Sequence, residues 1–135
     1  MAVNLLSVLV SAIAVFILGA LWYGPLFGKT WIRLMDFSEK HMKEAKRKGM
    51  AKQLVINFIS SFIMAYILAY FIQVLFYSEL NAILFLAFLI WIGFIATTTL
   101  GSVLWEGKNI KLYLINNSYN LISLIIMSLI LRMWV

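Results

Sequence analysis

Polar side chains recur at helical spacing inside apolar stretches of this 135-residue chain. Thr98, Ser102 and Glu106 repeat every four residues, and Asn116 and Asn120 have the same spacing. Residues four apart lie on one face of a helix, so each set forms a polar face. Lipid offers such groups no hydrogen bond, and inside a membrane they contact a neighbouring helix or line a wet cavity. The chemistry open to these residues is the binding of a polar solute or ion.

The predicted substrate-binding set lines a polar cavity at one end of three apolar stretches. Its members are Asn57, Ser61, Thr98, Ser102, Glu106, Asn116, Asn117 and Asn120. The alternative is that these groups only hold helices together, through interhelical hydrogen bonds worth about 0.6–2 kcal/mol each. Under both interpretations we expect the following to face other helices rather than lipid: Asn57, Ser61, Thr98, Asn116 and Asn120.

Sequence patterns of catalysis and metal binding are missing. The chain has no cysteine and one histidine, His41, and its apolar stretches contain no paired carboxylates. Nucleophilic catalysis needs a nucleophile beside a base, and a zinc site needs several His, Cys or carboxylate ligands. We therefore expect that the protein is not an enzyme and that it binds no metal or cofactor. We also expect no nucleic-acid partner.

Four apolar segments must position the polar faces. The chain is 64% hydrophobic and 12% charged, with a mean hydropathy of +1.00, which excludes an ordinary soluble domain. A helix that crosses the roughly 30 Å hydrocarbon core needs about 20 apolar residues. The segments at about 3–23, 54–77, 80–105 and 110–134 meet this requirement. We predict one all-α membrane domain over residues 1–135, a bundle of four transmembrane helices.

The distribution of basic residues predicts the orientation. The first loop, at about 24–53, holds most of the lysines and arginines, the third loop holds Lys108 and Lys111, and the second offers only Glu79. Lys and Arg are retained on the cytoplasmic side. Loops one and three are therefore predicted to be cytoplasmic, with both termini outside the cell.

A short basic helix is predicted in the first loop. Ser38 is suited to cap its start and Gly49 to end it. Such a helix would lie on the membrane surface, with its lysines over anionic headgroups; the alternative is a mobile hydrophilic loop. We predict that these residues contact the interface or lipid headgroups: Trp22, Tyr23, Lys29, Trp31, Lys43, Lys46, Arg47 and Lys48.

Small residues at four-residue spacing predict close helix contacts. Two such ladders are Ser61, Ala65 and Ala69 in the second segment, and Gly93, Thr97 and Gly101 in the third. Small side chains let helix backbones approach inside a membrane. Each ladder is suited either to internal packing or to self-association. The expected partners are the lipid bilayer and a second copy of the chain or another membrane protein.

Four short motifs resemble a known family. They read LWYGPLFGK at 21–29, followed by Trp31, then WIGF at 91–94, LWEGK at 104–108 and LYLIN at 112–116. Together they resemble the uncharacterised prokaryotic membrane family known as domain of unknown function 1761. The resemblance implies a four-span protein of a prokaryotic plasma membrane and supplies no activity. Within the first motif we expect Pro25 to end the first helix, with Gly24 and Gly28 allowing a tight turn.

The sequence favours transport or permeation of a small solute or ion through a cytoplasm-facing polar cavity. The alternative function is that of a non-catalytic accessory or scaffold subunit of a membrane complex. A wet cavity reaching past Asn57 toward Gln73 would favour transport, whereas a dry, tightly packed bundle would favour the accessory role.

Overall fold

The four predicted spans are present as long apolar helices. The structure is a computed structural model, and it describes residues 3–35, 39–49, 51–75 and 79–133. Its helices long and apolar enough to cross a membrane are Leu5–Leu26, Ala51–Val74, Leu80–Leu104 and Ile110–Met133. The described residues contain no strand. The predicted all-α, four-span class is confirmed.

Two of the spans are not α-helical throughout. The first is helix α1 (Leu5–Leu21) followed by a π-helical segment (Trp22–Leu26), here called the first π segment. The third is α5 (Leu80–Ile90), a second π segment (Trp91–Ala96), α6 (Thr97–Thr99) and α7 (Gly101–Leu104). The second span is α4 (Ala51–Val74) and the fourth is α8 (Ile110–Met133). The first loop contains α2 (Gly28–Met35) and α3 (Glu39–Lys48).

Helix α8 is the element around which the bundle packs. It contacts α1, α4 and α5, and at its first turns it also contacts α2, the second π segment and α7. The shared apolar core is formed by Val8, Val15, Ala65, Leu68, Ala69, Ile72, Ile83, Leu86, Ala87, Leu124, Met127 and Leu131. Serines are buried on the packed faces of α1, α4 and α8. Their small side chains allow the helices to lie close together.

Local signals account for several helix ends. The Asn4 side chain accepts hydrogen bonds from the backbone N–H groups of Leu6 and Ser7, at 3.0 and 3.3 Å, and so caps α1. Gly49 follows α3 with φ 78°, the left-handed conformation expected of a glycine that ends a helix. The predicted cap of α3, Ser38, lies outside the described residues.

The prediction that Pro25 ends the first helix was wrong. The helix continues to Leu26, because the backbone widens into the first π segment and Phe27 N–H donates to the Trp22 carbonyl at 2.8 Å. In an α-helix a proline ring clashes with the carbonyl four residues earlier, and the wider π turn relieves that clash. The chain turns at Phe27 instead, with φ −124° and ψ 7°, and α2 begins at the next residue.

The two small-residue ladders have different environments. Ser61, Ala65 and Ala69 are buried in the bundle, so this ladder serves internal packing. Gly93 and Thr97 are exposed, and a Cβ added at Gly93 would meet no atom within 4 Å. The second ladder therefore leaves an open face on the third span, and its use in self-association stays a prediction.

Gly28 is the glycine that the first motif requires. A Cβ there would lie 2.7 Å from the Tyr23 carbonyl oxygen, whereas one at Gly24 would meet nothing within 4 Å. We expect Gly28→Ala to lower the free energy of unfolding by about 1–3 kcal/mol, the usual cost of overpacking. Gly24→Ala is the matched control and should not lower it. Unfolding in mixed micelles, followed by circular dichroism, measures both; equal midpoints for the two variants would contradict the close contact.

Candidate functional site

A cleft lies against α8 at the end of the bundle that carries the basic loop, here called the basic-loop end. This α7–α8 cleft has a volume of about 560 Å³, and Met35 of α2 and Trp105 at the end of α7 line it. Six residues of the predicted set line it as well: Thr98, Ser102, Glu106, Asn116, Asn117 and Asn120. The polar face of the third span and the amides of the fourth thus line one cleft.

A second cleft lies at the same level, next to α1 and α4. This α1–α4 cleft measures about 450 Å³, and Tyr23, Asn57 and Tyr119 line it. Asn116 and Asn120 line both clefts. At a rise of 1.5 Å per residue these two amides lie about 9 and 15 Å from the first residue of α8. Polar groups therefore reach well into the membrane-spanning part of the bundle.

The remaining predicted residues differ in burial. Ser61 is 7% exposed and lines neither cleft, since it belongs to the packed face of α4. Asn117 is buried, and Asn116 and Asn120 are half-buried. Asn57 and Thr98 were expected to face other helices, but both are exposed and line the open sides of the clefts.

Two tryptophans hold α8 at the level of the clefts. The Trp22 indole N–H, from the first π segment, donates to the Ile115 carbonyl at 3.1 Å. The Trp91 indole N–H, from the second π segment, donates to the Asn117 carbonyl at 2.8 Å. Both acceptors are backbone carbonyls of α8, two residues apart. The two π segments thus fix the same turn of α8 from α1 and from the third span.

Asn117 is a structural amide. Its Nδ2 donates to the Tyr113 carbonyl at 3.0 Å, and its Oδ1 accepts from the Thr99 hydroxyl at 3.1 Å. The Tyr113 hydroxyl donates in turn to the Ala96 carbonyl at 2.6 Å. These bonds join α8 to the second π segment and α6, so the Asn117 side chain has little capacity left for a ligand.

Asn116, Asn120 and Asn57 retain hydrogen-bonding capacity. Asn116 Oδ1 accepts from the Tyr23 hydroxyl at 2.7 Å, which leaves its amide N–H groups available. Asn120 and Asn57 make no side-chain hydrogen bond to any residue of the described ranges. The Tyr23 ring is positioned by edge contacts with Tyr119 and Trp31, at centroid distances of 5.3 and 5.6 Å. Two or three amides are therefore available to a polar ligand.

The predicted headgroup residues divide into two groups. Lys29, Lys43, Arg47 and Lys48 are exposed on the basic loop, as a headgroup contact requires. Three aromatic residues, Trp22, Tyr23 and Trp31, are half-buried, with the first two hydrogen-bonded to α8 and all three packed against other rings. Their main contacts are internal, because indole and phenol donors find backbone and amide acceptors there. The side chain of Lys46 lies outside the described part of the chain.

Beyond the clefts the bundle is packed with apolar side chains. The end of the bundle opposite the basic loop, where α1 begins and α8 finishes, is here called the terminal end. Neither cleft is lined by a residue that lies closer to this end than Phe16 on α1 or Asn120 on α8. Val8, Ile83 and Met127 beyond them are 0% exposed. The hydroxyls of Ser11 and Ser128 are buried without a hydrogen-bond partner in the described structure. The clefts are therefore open at the basic-loop end and closed toward the terminal end.

The family model described as protein of unknown function DUF1761 matches residues 6–132, nearly the whole chain. The chain belongs to this family. The four motifs that resemble the DUF1761 family contain the first π segment, the start of the second, the mouth of the α7–α8 cleft and the first turns of α8. Comparison with curated proteins finds no match, and comparison with solved structures finds none either.

Loss of the indole N–H of Trp22 or Trp91 should destabilise the bundle. Trp22→Phe and Trp91→Phe each remove one N–H donor to an α8 carbonyl, and hydrogen bonds inside membranes are worth about 0.6–2 kcal/mol. We expect each variant to lower the free energy of unfolding by about that amount. Trp105→Phe is the control, because this indole is 86% exposed and makes no hydrogen bond in the described structure. If unfolding in mixed micelles shows equal losses for all three variants, the indole bonds do not stabilise the bundle.

Proposed function

We propose that the protein transports, or lets through, a small polar solute or ion that binds in the two clefts beside α8. The observation that carries this proposal is the set of amides without protein partners, Asn120 and Asn57, inside a membrane-spanning bundle. A polar group in a span that bonds to no helix is suited to hold water or a solute. Asn116 lines both clefts, and its amide N–H groups have no partner in the described structure.

The orientation we propose follows from charge. Exposed lysines and arginines of the first loop, together with Lys108 and Lys111, all lie at the basic-loop end. Retention of Lys and Arg on the cytoplasmic side makes this end cytoplasmic and places both termini outside the plasma membrane. The clefts would then receive their ligand from the cytoplasm.

The proposed role of the clefts is binding rather than catalysis. Among the described lining residues, the free polar atoms on the cleft floor belong to amides, whereas Glu106 and Lys108 lie at the mouth of the α7–α8 cleft. Catalysis would require a nucleophile with a base in hydrogen-bond reach, and the described hydroxyls of this lining donate to carbonyl or amide oxygens instead. A non-catalytic solute site accounts for these residue types.

Passage across the membrane would require the terminal end to open. The apolar core closes that end, so transport would involve a change between two packings of the helices. The π segments lie where α1 and the third span meet α8, and π turns occur frequently at functional sites. We propose that these two segments are the points at which the spans bend.

The second candidate function is that of an accessory subunit. The observation that favours it is the open face at Gly93 and Thr97, where another helix would approach closely. A packed terminal half also agrees with a protein that moves no solute. The two functions differ in whether the cleft floor is wet and whether any solute crosses.

Cysteine accessibility tests the wet cleft, because the chain contains no cysteine. We expect Ser102→Cys, Asn116→Cys and Asn120→Cys to react with a charged, membrane-impermeant thiol reagent from the basic-loop side only. Ser128→Cys, at a site that is 0% exposed in the terminal half, is the matched negative control, and Lys43→Cys on the exposed loop is the positive control. Protection of all three cleft positions, with Lys43→Cys labelled, would contradict a water-filled cleft.

Solute entry into proteoliposomes tests transport itself. Stopped-flow swelling in urea, glycerol and glycine gradients should show at least one solute entering faster than in protein-free liposomes. Asn120→Leu should abolish the difference, because it removes the free amide from both clefts, whereas Leu114→Val on the exposed face of α8 should not. Entry rates equal to those of empty liposomes for every solute would contradict transport and favour the accessory role.

A further inference from the structure

Two opposite charges at the mouth of the α7–α8 cleft have no partner in the described chain. Glu106 and Lys108 both line the cleft and are exposed, and neither forms a salt bridge with a described residue. The turn that carries them is fixed, since Gly107 adopts φ 70° and Lys108 N–H donates to the Ser102 carbonyl at 3.0 Å. The mouth therefore presents one carboxylate and one ammonium to a ligand that carries both charges.

The floor of the same cleft presents hydrogen-bond donors. Asn116 has its Oδ1 occupied by Tyr23, so its free groups are N–H donors. Asn120 has no side-chain hydrogen bond within the described ranges. Amide N–H groups bind oxygens that lack a proton, such as those of phosphates and esters.

One wall of the cleft is formed by exposed and half-buried residues of the third span, on the side where a bilayer would lie. Thr98, Gly101, Ser102 and Trp105 line this wall, at the spacing of one helical face. Thr98 is exposed although it lies six residues before the end of the span, a depth of about 9 Å. Trp105 is 86% exposed, in the position of an indole that meets the headgroup region. A ligand entering sideways would have its polar part in the cleft and its apolar part in the membrane.

We propose that the α7–α8 cleft binds a zwitterionic phospholipid from the leaflet at the basic-loop end. Its phosphate is placed by Lys108, its ammonium by Glu106, and its ester oxygens by the amides of Asn116 and Asn120. A monoanionic headgroup would leave Glu106 without a partner and close to added negative charge. The inference rests on the cleft of the proposed function but does not require that anything is transported.

Native mass spectrometry tests the lipid directly. The full-length protein is reconstituted in nanodiscs with equal amounts of phosphatidylethanolamine, phosphatidylglycerol and phosphatidylcholine, and the lipids it retains on release are counted. The ratio of retained phosphatidylethanolamine to retained phosphatidylglycerol should be about two- to fivefold higher for the unmodified protein than for Glu106→Gln, the factor expected from one exposed ion pair. The basic loop, whose lysines attract phosphatidylglycerol, is the same in both proteins, and Glu106→Gln changes an exposed side chain that the fold does not need. An equal ratio for the two proteins would overturn the proposal.

Two glycines of the third span provide a matched pair of variants. Gly101 lines the cleft, and a Cβ added there would have only Trp105 within 4 Å, so the side chain of Gly101→Leu has room to fill the cleft. Gly93 does not line the cleft, and Gly93→Leu adds the same side chain where no atom lies within 4 Å. We expect retention of phosphatidylethanolamine to fall in the first variant and to persist in the second. Equal retention by both variants, with unchanged circular dichroism, would place the lipid elsewhere and overturn the proposal.

A soluble headgroup tests whether the ligand of the cleft is a membrane lipid or a free zwitterion. Excess glycerophosphoethanolamine should leave the retained lipid in place, because the free headgroup lacks the acyl chains that hold the lipid in the membrane. Displacement of the lipid would identify a soluble zwitterion as the ligand and overturn the lipid assignment.

Reactive cysteines in the cleft without retained lipid would overturn this inference alone, whereas retained lipid without solute entry would overturn transport alone.

Discussion

The structure depends on one constraint: inside a bilayer every backbone N–H and C=O must find its partner within the protein. Helices satisfy most of these groups, but each π segment changes the register of its helix and alters which carbonyls are used. Here side chains add further hydrogen bonds to backbone carbonyls at the level of the π segments. Trp22 and Trp91 donate to carbonyls of α8, Tyr113 donates to the carbonyl of Ala96, and the three threonines at 97–99 donate to carbonyls of their own span. The aromatic residues at the basic-loop end therefore form a hydrogen-bonded framework.

That framework explains why polar clefts coexist with a packed bundle. The indole and phenol donors hold the inner turns of α1, the third span and α8 at fixed separations, and large rings cannot fill the space between them as closely as serine and alanine do. Toward the terminal end small residues such as Ser11, Ala12 and Ala65 pack against core leucines, isoleucines and Met127, and neither of the two clefts extends there. The residue types at the two ends thus determine which half of the bundle is open.

Much of this arrangement was predictable from sequence. Hydropathy located the four spans, because a run of about 20 apolar residues has few alternatives to a membrane helix. The positions of Thr98 and Ser102 on one wall were predictable because both follow the second π segment and keep the four-residue spacing, whereas Glu106 reaches the mouth through the turn after α7. Ser61 was misplaced in the cavity because hydropathy does not distinguish a serine in a packing ladder from one beside water. The course of the chain at Pro25 was missed because a proline normally ends a helix, and a π turn leaves no composition signal. Tyr23 was predicted to contact the interface rather than Asn116, and Trp91 was not predicted to take part in the site, although aromatic residues near the ends of spans were the available signal.

The close approach of Gly28 to the Tyr23 carbonyl couples the orientation of α2 to that of the first span. Because α2 begins one residue after the turn at Phe27, and its first residue lies against the backbone of the first π segment, the two cannot rotate independently. Helix α2 has 8 residues, and at 1.5 Å per residue it extends about 12 Å. A rotation of about 10° at its start displaces Met35, at its far end, by roughly 2 Å. Since Met35 lines the mouth of the α7–α8 cleft, a small tilt of α1 is converted into a change in the width of that mouth.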